Sequence, residues 1–354
     1  MNAHIIELIK ITIGKQESFQ LPLTSKDWDV AFEEAKKQTL IGVLFAGLEK
    51  LPKHQLPPRE LLLKWFGIVE HIKKQNRLFD IRAKELTDFM KTGGFRSTLL
   101  KGQGLALLYP NPALRQCGDI DLLVDGNRKS IVDYCQKSWT IDHADYKNVV
   151  ITNFPDVHVE VHFVPSWFYC PFTERKFRSW YHSVSDKQFE NCIDKGFCLP
   201  TISFNLVFLM IHIYKHQFDE GIGLRQLMDY YYVLVHSNKK ERNDALLQLS
   251  KFRMERFVSA VMYVMEEVFS LDHKYMLCLP SEKYGKKLLS DIISGGNFGH
   301  YNENNIHGKE NRIKRGIRNI KHNLRLILDY PKEVIWSPVW KCWHWVWRKY
   351  KGYL

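Results

Sequence analysis

Lys101-Gly102-Gln103-Gly104, Arg115 and Gly118-Asp119-Ile120-Asp121-Leu122-Leu123-Val124 form the stretch that decides how this 354-residue chain folds. It sets two carboxylates at i and i+2 at the start of an apolar run, just downstream of a glycine-rich turn. Side chains alternate faces along a strand, so Asp119 and Asp121 point one way and Ile120, Leu122 and Val124 the other, into a core. The pattern presents a two-carboxylate claw on a rigid strand. A hard divalent cation takes such a claw, and Mg²⁺ usually combines one or two carboxylates with phosphate oxygens.

Working outward, a third carboxylate is Glu160, in Val157-His158-Val159-Glu160-Val161-His162. Valines alternate with polar residues there, so His158, Glu160 and His162 share one strand face. Beside the Asp119/Asp121 strand, Glu160 completes a three-carboxylate site. A hard-cation site prefers oxygen, which leaves His158 and His162 out of the expected ligand set. Upstream, Gly102 and Gly104 carry no side-chain bulk, so backbone N–H groups there can approach an anion, and Lys101 or Arg115 adds positive charge.

The rest of the chain reads as α+β. Residues 1–92 are helical, with apolar residues at helical spacing over 28–51 and 61–90 and a stop at Gly93-Gly94. Residues 93–200 form a small mixed α+β core: strands at 97–100, 119–124, 148–152 and 157–164, a short helix at 105–109 and another at 129–137. Residues 201–294 are helical again over 203–235, 239–269 and 281–293. Residues 295–354 are a linker and a basic, tryptophan-rich tail. His212 and His216 lie one helical turn apart and read as structural or substrate-facing. Arg225 and Asp229 have the i, i+4 spacing of a helix-surface ion pair.

Taken together, the Lys-Gly turn, the Tyr109-Pro110-x-Pro112 and Arg115 before Gly-Asp-Ile-Asp-Leu-Leu-Val, and the Val-Glu-Val-His strand resemble the DNA polymerase β-like nucleotidyltransferase superfamily. More closely, they resemble its uncharacterised bacterial nucleotidyltransferase family, often associated with surface-polysaccharide gene clusters. The resemblance runs from about Trp28 to Phe298 and takes in His212-x₃-His216, Gly221-Ile222-Gly223-Leu224-Arg225 and Asp229. It implies a small mixed-sheet nucleotidyltransferase core with flanking helical regions, moving a nucleoside monophosphate from an NTP to an acceptor with Mg²⁺ or Mn²⁺. Asp119, Asp121 and Glu160 fall on the metal and catalytic positions. Gly102 and Gln103 fall on the phosphate-binding turn, with Lys101, Gly104, Arg115 and Arg225 as further phosphate contacts. Two departures stand out: Gln103 replaces a small residue, and Glu160 stands where Asp is common. Rival readings are a toxin-like relative that modifies tRNA or protein, and a non-catalytic nucleotide-binding scaffold.

Composition narrows the setting. Apolar residues are 45% and charged residues 25%, the balance of a folded globular chain. Seven scattered cysteines with no CxxC pair point to reduced thiols in a cytoplasmic protein rather than a disulfide framework or a zinc site. No signal-peptide h-region and no long apolar run is present. Of the net charge of +12, +9 lies in residues 307–354, leaving +3 for the other 306 residues. The body is therefore close to neutral, which disfavours a nucleic-acid partner. Ile313, Ile317, Ile320, Leu324 and Leu328 make an apolar stripe among Arg312, Lys314, Arg315, Arg318, Lys321 and Arg325, followed by Trp336, Trp340, Trp343, Trp345 and Trp347. That arrangement suits either an anionic membrane surface contacted through 309–354, peripherally at the inner membrane, or a helix docked in a groove of the protein.

Overall fold

A computed structural model of the chain describes residues 3–219, 221–296 and 323–350. The expected linker beyond residue 296, and the part of the basic stripe from Arg312 to Lys321, lie outside the described residues. The fold is α+β, with one five-stranded mixed sheet set among helices.

Three N-terminal helices, α1 (Ala3–Thr12), α2 (Ser25–Lys37) and α3 (Ile41–Leu48), precede the long α4 (Arg59–Thr92). Where the spacing of residues 28–51 predicts one helix, the chain makes two. Thr39 takes φ +57°, a left-handed conformation that helical L-residues avoid, and this breaks the run. α2 is started by a capping box in which Thr24 and Asp27 satisfy each other's backbone N–H groups. In α3, a Cβ on Gly42 would stand 2.2 Å from the carbonyl oxygen of Leu114, so only glycine lets the turn that leads into Arg115 pack so closely.

α4 is the strut of the molecule. Its buried residues Leu61, Trp65, Val69, Ile72, Phe79, Ala83, Leu86 and Met90 recur at helical spacing along one stripe. The N-terminal half of that stripe belongs to a large helical core, and the half from Phe79 onward packs on the sheet.

The sheet has the order β1 (Ser97–Leu100), β2 (Asp119–Val124), β5 (His158–His162), β4 (Asn148–Ile151), β3 (Ile141–Ala144). Only the β2–β5 pair is parallel; β1–β2, β5–β4 and β4–β3 are antiparallel. β3 is a strand that the sequence pattern did not announce. The β4–β5 hairpin around residues 153–156 is as expected. Ile120, Leu122, Val124, Val159 and Val161 face the core shared with α4 and α6 (Arg128–Gln136). Each such side chain contributes about 1.5–3 kcal/mol on burial. Leu123 faces the opposite, helical core, and so do the carboxylates that alternate with the core residues.

α5 (Gly102–Ala106) begins at the glycines themselves rather than at Leu105. After the sheet come α7 (Pro171–Val184), α8 (Asp186–Glu190) and the helical set α9 (Ile202–Asp219), α10 (Leu224–His236), α11 (Lys239–Lys251), α12 (Glu255–Phe269) and α13 (Glu282–Gly295). The single helical run expected over 203–235 is two helices, parted where Gly221 takes φ +104°. The expectation that all cysteines stay reduced is corrected: Cys192 and Cys198 stand opposite each other in an antiparallel bridge and are joined as a disulfide. The short turn over residues 193–197 folds the chain back, which the spacing of the two cysteines alone does not reveal.

The last helix, α14 (Pro331–Tyr350), folds back onto the protein. Glu333 is buried, and its carboxylate accepts from the Tyr169 and Cys170 backbone N–H groups at 2.8 and 3.2 Å. Trp340 stacks on Trp167, and Trp340, Trp343 and Trp347 surround Tyr146 edge-on. Arg128 lies over Trp347, and Lys341 pairs with Asp219. Replacing Glu333 by Ala leaves two buried N–H donors without acceptors, a loss of about 1–3 kcal/mol. The expected outcome is a red shift of tryptophan emission and faster proteolytic removal of α14, with Glu333→Gln recovering part of the loss.

Candidate active site

Parallel pairing of β2 with β5 builds the centre. The register sets Asp119 opposite His158, Asp121 opposite Glu160 and Leu123 opposite His162. Asp121 and Glu160 therefore stand side by side on one face of adjacent strands, and His162 follows on the same face as Glu160. Asp121, Glu160 and His162 each offer a ligand atom, and these atoms all lie within 4.8 Å of one another. Asp119 falls outside this compact group. It lies instead on the wall of a neighbouring narrow cleft, with Lys101, Gly102, Arg115, His212, Arg225 and Asp229 among the other lining residues.

Positive groups surround the carboxylates. Lys101 Nζ is 2.7 Å from Asp121 Oδ2, and His162 Nε2 is 2.8 Å from Asp121 Oδ1. Glu160 Oε2 meets His162 Nε2 at 3.2 Å and Lys147 Nζ at 3.4 Å, and Asn148 Nδ2 donates to the same oxygen. Glu160 Oε1 faces His158 Nε2 at 3.6 Å.

Burial opposes ionisation of both carboxyls, but it is outweighed. Lys101 and His162 hold Asp121 below the usual carboxylate range. Hydrogen bonds from His158 and His162, then the Lys147 charge, do the same for Glu160. Burial also works against the Lys101 ammonium, and Asp121 and Asp119 raise it regardless. Asp119 goes the other way: burial and then the Asp121 charge push its carboxyl up. Desolvation and neighbouring charge thus shift these two aspartates in opposite directions.

Local backbone supports this placement. Lys101 has φ +53°, a strained conformation for an L-residue that costs about 1–3 kcal/mol. The strain turns its side chain onto Asp121. Gly102 follows at φ +36°, and a Cβ there would lie 3.6 Å from the Asp119 carbonyl oxygen.

The remaining sequence candidates are distributed differently from expectation. Gln103 is buried and turns its amide away from the cleft, donating to the Asn76 carbonyl and to Asp80 Oδ1, both at 3.3 Å. Its bulk therefore lies against α4. Gly104 packs beneath Leu199. Arg115 lines the cleft, yet its guanidinium is held bidentately by Asp229, Nε to Oδ1 and Nη2 to Oδ2 at 2.7 Å each, and the Tyr109 hydroxyl donates to Asp229 Oδ1 at 2.7 Å. The expected Arg225–Asp229 helix-surface pair is corrected, because Asp229 is buried and faces Arg115. Arg225 reaches across to the Gln116 carbonyl at 2.9 Å and lines the cleft. Burial, and then the Arg115 charge, lower its pKa.

Sequence reasoning missed Lys147 and set His162 aside. His162 was detectable, since it shares the Glu160 face. Lys147 was not, since its approach depends on the β4–β5 register. His212 also enters the cleft, 3.1 Å from His216 between their Nε2 atoms. Burial, with Lys101 and His216 next, keeps His212 well below its ordinary pKa, so it is neutral at pH 7.

The mixed sheet thus carries adjacent carboxylates beside a cleft lined by Lys101 and Arg225. Residues 24–270 match the family model described as "uncharacterised nucleotidyltransferase", and the chain belongs to that family. Among solved structures it is similar to an antigenic nucleotidyltransferase-like protein from Paracoccidioides brasiliensis, at 12% identity over 58% of this chain and 95% of that one, with a TM-score of 0.33. It is also similar to the Thermotoga maritima CCA-adding enzyme complexed with tRNA, at 12% identity over 73% of this chain and 77% of that one, with a TM-score of 0.20. A CCA-adding enzyme with CTP matches at 12% identity over 76% and 80%, with a TM-score of 0.19. No curated protein matches the chain.

The Arg115–Asp229 pair ties the loop before β2 to α10, with both side chains under a tenth exposed. Removing one partner strands a buried charge, so Arg115→Ala is expected to cost about 3–5 kcal/mol in urea unfolding. The apolar double replacement Arg115→Met with Asp229→Leu is expected to recover most of that loss.

Proposed function

We propose that the protein transfers a nucleoside monophosphate from an NTP to an acceptor in a reaction that needs a divalent cation, Mg²⁺ or Mn²⁺. The observation that carries this reading is the side-by-side placement of Asp121 and Glu160 on parallel strands, at the edge of the cleft that Lys101 and Arg225 line. The donor set fits a cation: two carboxylates held ionised by their surroundings, and already compensated by ammonium and imidazole groups where positive charge is favoured. Asp121 and Glu160 would hold the ion, with Asp119 on the adjoining cleft wall. When bound it would polarise the phosphoryl group and activate the attacking hydroxyl.

The chain's own residues do the rest. Lys101 and Arg225, which line the cleft, offset phosphate charge. Gly102 leaves its backbone open to the phosphate. Arg115, neutralised by Asp229, positions the wall rather than supplying charge. The acceptor is left unassigned; the sequence resemblance is what suggests a setting in surface-polysaccharide metabolism. Replacing Asp119 and Asp121 together by Asn is expected to abolish pyrophosphate release and Mn²⁺-dependent NTP binding while leaving the folded state intact by circular dichroism. Unchanged nucleotide binding and turnover in that variant would sink the reading.

For the tail we infer contact with an anionic lipid surface, peripheral to the membrane. Among the described residues no helix is long and apolar enough to cross a membrane. What supports the inference is the outward face of α14, where Ile335, Val339, Trp345 and Val346 are each more than half exposed, beside exposed Lys332 and Lys349. Changing those four apolar residues to Ser leaves the inward tryptophans in place. It is expected to remove co-sedimentation with phosphatidylserine-containing vesicles, and unaltered sedimentation refutes the contact.

A further inference from the structure

The three carboxylates of the sequence pattern do not form the tightest ligand group; Asp121, Glu160 and His162 do. His162 is buried, and its Nε2 stands 2.8 Å from Asp121 Oδ1 and 3.2 Å from Glu160 Oε2. An octahedral ion with bonds of about 2.1 Å separates neighbouring ligand atoms by about 3.0 Å. Both measured edges bracket that value. The polar contacts of the ring all run through Nε2, since Nδ1 is buried without a hydrogen-bond partner. Lys101 occupies the other Asp121 oxygen, Oδ2. Lys147 and Asn148 fix Glu160 from the β4 side. Asp121 Oδ1, Glu160 and the imidazole are thereby held as three preset corners.

We propose that His162, losing its Nε2 proton to solvent as the ion displaces it, is the third protein ligand of the cation in this site, and that the cation is a first-row transition ion, Mn²⁺ serving as the probe, in preference to Mg²⁺. This rests on the cation-dependent transferase reading above and deepens it. Mg²⁺ is hard, loses water reluctantly and takes oxygen; an imidazole in the ligand set favours ions that accept nitrogen. Asp119, outside the group, remains on the cleft wall opposite Arg225.

The test uses the whole protein with Mn²⁺ and no nucleotide. Electron spin echo spectra of bound Mn²⁺ are expected to show nitrogen modulation that changes to the ¹⁵N pattern when histidine alone is ¹⁵N-labelled, a readout that needs no variant. Competition is expected to place Mn²⁺ at least tenfold tighter than Mg²⁺. His162→Gln is expected to lose the modulation and that preference, and His158→Gln to keep both. Bound Mn²⁺ with no histidine nitrogen signal, or the same signal in His162→Gln, overturns the assignment; if Mg²⁺ still supports pyrophosphate release, the transferase reading survives. Failure of the wild-type protein to bind either ion, with or without NTP, overturns both.

Discussion

The parallel pairing of β2 with β5 is the constraint on which the rest depends. It places Asp121 against Glu160 in the interior, where two like charges would repel strongly at low dielectric. Such a pair persists ionised only if positive groups are built around it. Lys101, His162 and Lys147 supply them, each from a different part of the chain. The strained backbone at Lys101, the hairpin that brings Lys147 up to β5 and the burial of His162 all serve that single electrostatic requirement.

A second requirement is a wall opposite the sheet. The helical set from α9 onward supplies it, and buried polar contacts, not apolar packing alone, fix its position. Arg115 and Tyr109 meet on Asp229, so the loop before β2 cannot move independently of α10. Gln38 donates to the Ile292 carbonyl and accepts from the Leu224 N–H, which joins the N-terminal helices to α13 and to the start of α10. α4 runs under both cores. Arg225 and His212 reach the cleft because these ties hold their helices against the sheet.

Much of this was legible in the chain. Alternation of valine with polar residues located β5, and the Asp-x-Asp run located β2, because a period of two has few other structural meanings. The long stripe on α4 was equally plain. Short elements were harder. β3, Ile141–Ala144, has no clean alternation, and the breaks after α2 and α9 rest on single left-handed residues. Gln103 looked like an obstruction in the phosphate turn, but the start of α5 directs its side chain to Asn76 and Asp80. Arg115 looked like a phosphate ligand until its partner, over a hundred residues away, became visible. The tail tryptophans read as one group, whereas the helix divides them into Trp340, Trp343 and Trp347 around Tyr146, Trp336 against Phe172, and an outward Trp345.

By itself the sequence determined the α+β class, the strand faces and the identities of Asp119, Asp121 and Glu160, because these follow from local periodicity and side-chain chemistry. It also determined family membership, since the turn, the Asp-x-Asp strand and the Val-Glu-Val-His strand occur in fixed order. The tertiary structure alone decided which charges meet. Register placed His162 and Lys147 on the carboxylates, separated Asp119 from the compact ligand group, gave Arg115 to Asp229 and brought Cys192 to Cys198. Those outcomes depend on distances between segments far apart in the chain, and no local pattern encodes them.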